Sequence, residues 1–271
     1  MGRYEKMFER LNGEGAGAFV PFVVIGDPNI AESIDIIRAL IEGGADALEL
    51  GIPFSDPIAD GPTIQAATVR ALESGVTPPD CFTALETIRG EYPNIPIGLL
   101  VYANLVVANG EAAFYRKVAT VEVDSVLVAD VPAFESGPFV EHALAEGVSP
   151  VFIAPPNADE RLIAKVAEIT KGYTYVVARP GVTGTENSDQ IFGVDIFKFL
   201  AKYQAPPGLL GFGISTTAHV NEALDAGAAG AISGSAVVRI IEKNLGKKGA
   251  AAGEIRNFVK KMKAATLDKR K

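Results

Sequence analysis

The sequence predicts an α/β fold, a closed (β/α)8 (TIM) barrel with an extra N-terminal helix and additional short helices. Three observations predict it. Short apolar runs alternate with longer segments of helical period, eight times in succession. The apolar runs are nearly continuous, as parallel strands covered on both faces should be. The length, 271 residues, suits one such barrel better than an open doubly wound sheet. No linker or shift in composition divides the chain, so residues 1–271 read as a single barrel domain.

The elements follow in order. Tyr4, Phe8 and Leu11 share a helical face, and Gly13 to Gly17 ends that helix. Ala18 to Gly26 reads as a buried strand, Asp27-Pro28-Asn29 as a turn, and Ile34, Ile37, Leu40 and Ile41 as a helix ending near Gly43-Gly44. The second strand spans Ala47 to Pro53. Its helix starts at Gly61-Pro62, carries Ile64, Ala67, Val69 and Leu72, and stops at Gly75. An extra helix, Asp80 to Gly90, precedes the third strand, Pro96 to Asn104. Then come helix Glu111 to Val121, strand Ser125 to Val131, helix Glu135 to Glu146, strand Pro150 to Pro155 and helix Glu160 to Thr170. Strand Tyr173 to Arg179 leads into the longest unpatterned loop, Pro180 to Gly193, whose length suggests a lid. Helix Asp195 to Tyr203, strand Leu209 to Ser215, helix Thr217 to Ala226, strand Gly230 to Ser233, helix Ser235 to Lys243 and helix Ala250 to Ala265 complete the chain.

Composition narrows the function. The formal net charge of -8 argues against nucleic acid or an anionic membrane as the main partner. No apolar run approaches the roughly 20 residues that span a bilayer, and the charged N-terminus lacks a signal core. The reading is a cytoplasmic protein. A single cysteine, Cys81, allows no intrachain disulfide. His142 and His219 fall on separate helices, so no histidine metal site is expected. The predicted strands contain no lysine for a Schiff base, and no nucleophile elbow is present.

Carboxylates remain. In this fold active sites lie at the C-terminal ends of the strands. Strand side chains alternate faces, so Leu48, Leu50 and Ile52 share one face while Ala47, Glu49 and Gly51 share the other. With helices over the first face, Glu49 points into the barrel, where an unpaired carboxylate is costly. Asp60 sits where the following loop meets a helix, and helix capping is an alternative role for it. Alternation brings Phe22, Leu100, Tyr102, Leu127, Ala129, Ile153, Tyr175 and Phe212 inward as well. Phe22, Leu100, Leu127, Ile153 and Phe212 either pack the barrel or line a pocket for a flat apolar group. The last three strand–helix loops are glycine-rich: Gly181-Val182-Thr183-Gly184, Gly211-Phe212-Gly213 and Ser233-Gly234-Ser235. Backbone N–H groups at such loops and a helix N-terminus suit a phosphate.

The run LELGIPFSDPIADGPTIQ closely resembles the signature of the tryptophan synthase alpha subunit family. GLLVYANLV, VDSVLVADVP, PPNADE, GYTYVVAR, GVTGTE, GFGIS and AGAAGAISGSA extend the resemblance through nearly the whole chain. It implies retro-aldol cleavage of indole-3-glycerol phosphate to indole and glyceraldehyde 3-phosphate. On that resemblance Glu49 and Asp60 are the catalytic carboxylates, Tyr175 positions the substrate, and Gly184, Gly213, Gly234 and Ser235 hold the phosphate. Arg179 and Thr183 belong to the lid, with Thr183 meeting Asp60 on closure. The resemblance further implies an α2β2 complex. Pyridoxal phosphate then sits in the beta subunit, with no cofactor in this chain. The partner face includes Asp56, Pro57 and Asn104. Val107 stands where the family leads one to expect an aromatic residue. Two alternatives stay open: another phosphate-binding barrel isomerase or synthase, and a catalytically silent activator of a beta subunit.

Overall fold

The computed structural model describes residues 1–177, 194–247 and 249–267. Helix α1 (Arg3–Glu14) leads into β1 (Ala18–Val24), α2 (Ile30–Glu42), β2 (Leu48–Gly51), α3 (Pro62–Glu73) and α4 (Pro78–Glu91). Next are β3 (Ile97–Val101), α5 (Ala103–Val107), α6 (Glu111–Thr120), β4 (Ser125–Val128) and α7 (Gly137–Ala145). Two short strands follow, β5 (Ser149–Val151) and β6 (Ile153–Ala154), then α8 (Glu160–Ile169) and β7 (Thr174–Val177). The chain ends with α9 (Val194–Lys202), β8 (Gly208–Gly211), α10 (Thr217–Asp225), β9 (Gly230–Ser233), α11 (Ser235–Lys243) and α12 (Ala250–Ala264).

The strands run in the order β5-β4-β3-β2-β1-β9-β8-β7-β6, every pairing parallel. The two ends of that order, β5 and β6, are one stretch of chain interrupted only at Phe152, so the ring closes through it. Eight strand positions and a covering layer of helices make a (β/α)8 barrel. All seven residues of β1 are buried, as a strand with apolar cover on both faces requires. Leu48, Leu50 and Ile52 pack in the layer between strands and helices, while Ala47 joins a separate cluster inside the barrel. The alternation read from the sequence therefore holds along β2.

Helix α1 belongs to the interior cluster. Its Tyr4, Met7, Phe8 and Leu11, one helical stripe, pack with Leu127, Val151, Tyr173 and Leu209. The Tyr4 hydroxyl lies 2.9 Å from Ser125 Oγ at the start of β4, so α1 plugs the end of the barrel opposite the expected active site. Buried Asp46 fastens this plug. It accepts Arg10 of α1 at 2.7 Å, Lys263 of α12 at 2.7 Å and the Phe19 N–H at 2.9 Å.

Some expectations are corrected. The strand expected over Pro96 to Asn104 stops at Val101, and Ala103–Val107 is a short helix. The strand expected over Leu209 to Ser215 stops at Gly211, because Phe212 and Gly213 turn the chain with φ of 69° and 84°. Val69 and Leu72 are exposed, and α3 instead buries Ile64, Ala67, Thr68 and Ala71, the true 3–4 stripe. Among the described residues no helix is long and apolar enough to cross a membrane.

Candidate active site

Glu49 stands mid-way around the inner wall. Its register partners are Phe22 on β1 and Gly98 on β3, and Gly98 in turn pairs with Ser125. Only 2% of Glu49 is exposed. The Tyr173 hydroxyl donates to its Oε1 at 2.8 Å. Burial pushes the carboxyl up to about 7; the Tyr173 bond pulls it back, and the charge of Asp60 pushes it up further. Tyr173 itself is fully buried beside Tyr4, their ring centroids 5.4 Å apart. Sequence reasoning passed over Tyr173. It stands just before β7, at the N-terminal end of that strand and two residues from Tyr175, so strand alternation gives it the same inward face.

Asp60 ends the loop from β2 to α3. It does not cap the helix: the N-cap is Gly61, with Pro62 in the first turn, and the Asp60 carboxylate turns elsewhere. Its Oδ2 accepts the Tyr102 hydroxyl at 3.0 Å, and its carbonyl accepts Gln65 Nε2 at 2.7 Å. Burial raises the Asp60 carboxyl to about 6, against the lowering effect of the Tyr102 bond. Helix α3 is pinned behind it, since Arg70 makes a two-bond fork to buried Asp27 at 2.7 and 2.8 Å. Two carboxyls are thus raised by the same apolar surroundings, close enough that the charge of one shifts the other.

The apolar candidates gather in two adjoining clusters, and Phe22 pairs in register with Glu49. Leu127 and Tyr175 are buried in the interior cluster, and Leu100, Ile153 and Phe212 pack against it. Phe22 lies beside them in a cluster that also touches Leu100. Tyr175 and Phe212 meet edge to face with centroids 6.2 Å apart. Gly211 makes this possible, for a Cβ there would fall 2.4 Å from the Tyr175 hydroxyl. Phe22 in turn approaches Gly234, where a Cβ would lie 3.3 Å from its ring.

The glycine loops at the ends of β8 and β9 lie side by side. Buried Ser233 donates its hydroxyl to the Ile214 carbonyl at 2.6 Å, tying the two turns together. Gly234 is the N-cap of α11, and Ser235 is its first residue. Phe212 and Gly213 take positive φ in succession, so the chain turns sharply at the end of β8. The space over Gly213 is open, with nothing within 4 Å of a Cβ built there. Gly184, Arg179 and Thr183 lie outside the described residues.

The proposed partner residues sit on neighbouring strand ends. Asp56 and Asn104 are exposed and Pro57 is half-buried. Ile58 is 75% exposed, Val107 42% and Phe134 53%, on segments that follow β2, β3 and β4. Ile58 and Phe134 were not among the sequence candidates. A lone apolar residue in a polar loop carries no periodic signal to mark it.

A family model described as tryptophan synthase alpha chain matches residues 8–267. The alpha chain of Cronobacter sakazakii is 55% identical over 267 residues, which cover 98% of this chain and 99% of that one. The alpha chain of Salmonella paratyphi B is 56% identical over 266 residues, again 98% and 99% of the two chains. A chain from the crystal structure of the Pyrococcus furiosus tryptophan synthase complex superposes with a TM-score of 0.80 at 32% identity, covering 92% of this chain and 98% of that one. A full-length match in sequence, together with the same barrel in three dimensions, makes this chain a member of the tryptophan synthase alpha chain family.

Proposed function

We propose that the chain cleaves indole-3-glycerol phosphate into indole and glyceraldehyde 3-phosphate, a carbon–carbon lyase reaction run by carboxylates. The observation that carries this reading is the buried pair, Glu49 raised to about 7 and Asp60 to about 6, among apolar side chains at the strand ends and on the same side as the glycine turns after β8 and β9. Retro-aldol cleavage needs the indole ring as an electron sink. Glu49 gives a proton to the ring carbon that bears the glycerol chain, and positive charge then develops at the ring nitrogen. The Asp60 carboxylate accepts the ring N–H and stabilises that charge, an interaction strongest in the transition state. Glu49, now ionised, takes the proton of the adjacent hydroxyl. The carbonyl forms, the carbon–carbon bond breaks, and its electron pair returns to the ring as indole. Glu49 ends in the protonation state in which it began, and a carboxyl near 7 suits both halves of that cycle.

Leu100, Leu127, Ile153, Phe22 and Phe212 enclose the indole, and Tyr175 holds its edge. The phosphate rests on Gly213, Gly234 and Ser235, where the α11 dipole favours an anion. No lysine lies on a described strand, which disfavours a Schiff-base synthase. An intact carboxylate pair disfavours a silent activator. The same reading takes residues 1–271 as one cytoplasmic barrel domain. It assigns the exposed Asp56 and Asn104 and the half-buried Pro57 to contact with a beta subunit in an α2β2 complex, and pyridoxal phosphate to that subunit. Indole release from indole-3-glycerol phosphate, assayed with and without a beta subunit, tests it. Turnover that needs no carboxylate, or cleavage of other sugar phosphates only, would exclude it.

A further inference from the structure

Tyr102 connects elements that the reaction alone does not require to be connected. It is 3% exposed and is the N-cap residue of α5. Its ring stacks on Phe54, with centroids 5.3 Å apart and planes 26° from parallel. Its hydroxyl donates to Asp60 Oδ2 at 3.0 Å and accepts the Ala59 N–H at 3.1 Å. One side chain therefore grips the β2–α3 loop at Phe54, Ala59 and Asp60. It also leads straight into the helix that exposes Asn104 and Val107. Capping a helix or filling space needs only part of this. A phenylalanine would supply the stack, and no hydroxyl would be required.

With its hydroxyl used both as donor and as acceptor, Tyr102 fixes one Asp60 oxygen relative to the loop backbone. The second oxygen is thereby oriented toward one side. We propose that Tyr102 is a positioning residue that sets the Asp60 carboxylate and transmits to it the pressure of a partner seated on the β2–α3 loop and α5. The proposal rests on the reading of Asp60 and of the partner face given above. Among the described residues, Asp60 faces the Tyr102 hydroxyl from the end of β3, Glu49 from β2 and Tyr175 from β7. Asp130, after β4, adds its charge near Tyr102 and accepts the Ala103 N–H at 2.8 Å. Of these groups only the Tyr102 hydrogen bond holds the Asp60 carboxyl down.

Two variants of the full chain, Tyr102→Phe and Tyr102→Leu, test the proposal with and without a tryptophan synthase beta subunit. Tyr102→Phe keeps the stack and loses the hydroxyl. In the complex its kcat should fall roughly tenfold, the scale of one hydrogen bond to a charged group. KM should change less than about twofold. The acid limb of its kcat–pH profile should move to higher pH, because the Asp60 carboxyl is no longer held down. Tyr102→Leu loses the stack as well, and its fold-stimulation by the beta subunit should drop below that of Tyr102→Phe. A parental kcat and acid limb in folded Tyr102→Phe, or a loss confined to KM or melting temperature, would overturn the positioning role. Equal stimulation of parent, Phe and Leu variants would overturn the transmission. A 13C NMR titration of the Asp60 carboxyl carbon separates this from the functional reading. A midpoint raised in Tyr102→Phe supports the positioning role even if the parent released no indole, and an unmoved midpoint contradicts it.

Discussion

Glu49 costs the fold stability at the pH where it is charged. Its carboxyl is raised from 4.5 to about 7 by burial, so between those values the native state binds more protons than the unfolded chain. Stability tied to this group is therefore full below about 4.5 and is lost as pH rises through about 7. The whole shift corresponds to about 3 kcal/mol as an upper figure, since each unit is worth about 1.4 kcal/mol. Glu49→Gln keeps the size and removes the charge. Urea unfolding of parent and variant should show the variant gaining on the parent between pH 5 and pH 8, by roughly 1–3 kcal/mol. A difference independent of pH would mean that Glu49 is solvated or paired more fully than its single bond to Tyr173 implies. Asp60 acts through its charge, so Asp60→Asn should lose at least about a hundredfold in kcat with the substrate still bound. Equal losses in kcat/KM and in binding would assign Asp60 to the ground state instead. With Asp60 needed ionised and Glu49 needed protonated, kcat/KM should fall on both sides of a narrow optimum, with apparent limbs near 6 and near 7 that belong to the pair. A flat profile across that range would contradict the assignment.

At the scale of elements, the two loops at the ends of β8 and β9 carry the phosphate reading. Gly213 has φ of 84°, so any side chain there brings backbone strain along with bulk. Gly213→Ala is accordingly a cleaner probe than a β-branched residue. Strain should cost about 1 kcal/mol of stability. The methyl group should weaken binding of glyceraldehyde 3-phosphate or inorganic phosphate several-fold, measured by calorimetry. Unchanged phosphate affinity in folded Gly213→Ala would move the anion elsewhere. The elements also show what the sequence could convey. Alternation along β2 located Glu49 inside the barrel from its neighbours Leu48 and Leu50 alone, because side chains on a strand take opposite faces in turn. Helix α11 was legible to the residue, for its apolar stripe starts directly after Gly234. Helix α5 was not. ANLVV is apolar enough to extend a strand, and only the tertiary grip of Tyr102 on Phe54 and Asp60 reveals where the chain turns. Tyr173 was hidden for a related reason: its hydroxyl meets Glu49 across a separation of 124 residues, and no local pattern reports such a contact.

For the whole molecule, closure of the barrel converts distant stretches into one site. Glu49 and Tyr173 share a hydrogen bond across the interior, while α1 seals the far end through Tyr4, Phe8 and Leu11. The exposed Ile58, Val107 and Phe134 follow three consecutive strands, so a partner can press on one continuous side of the rim. Asp56→Ala should remove much of the rate increase on titration with a beta subunit. Full stimulation of that variant would shift the partner face away from the β2–α3 loop. Loss of stimulation in Asp56→Ala would measure a coupling free energy between the partner surface and the active site. The most direct test of the central claim is indole release by folded Glu49→Gln. The chain contains no tryptophan, so the fluorescence of released indole rises without background from that residue. Given indole-3-glycerol phosphate at saturating concentration, the parent should produce indole. Glu49→Gln should bind the substrate yet release indole at less than about a hundredth of the parental rate, the loss expected when a proton carrier is removed. Release near the parental rate would show that Glu49 moves no proton and would contradict the mechanism.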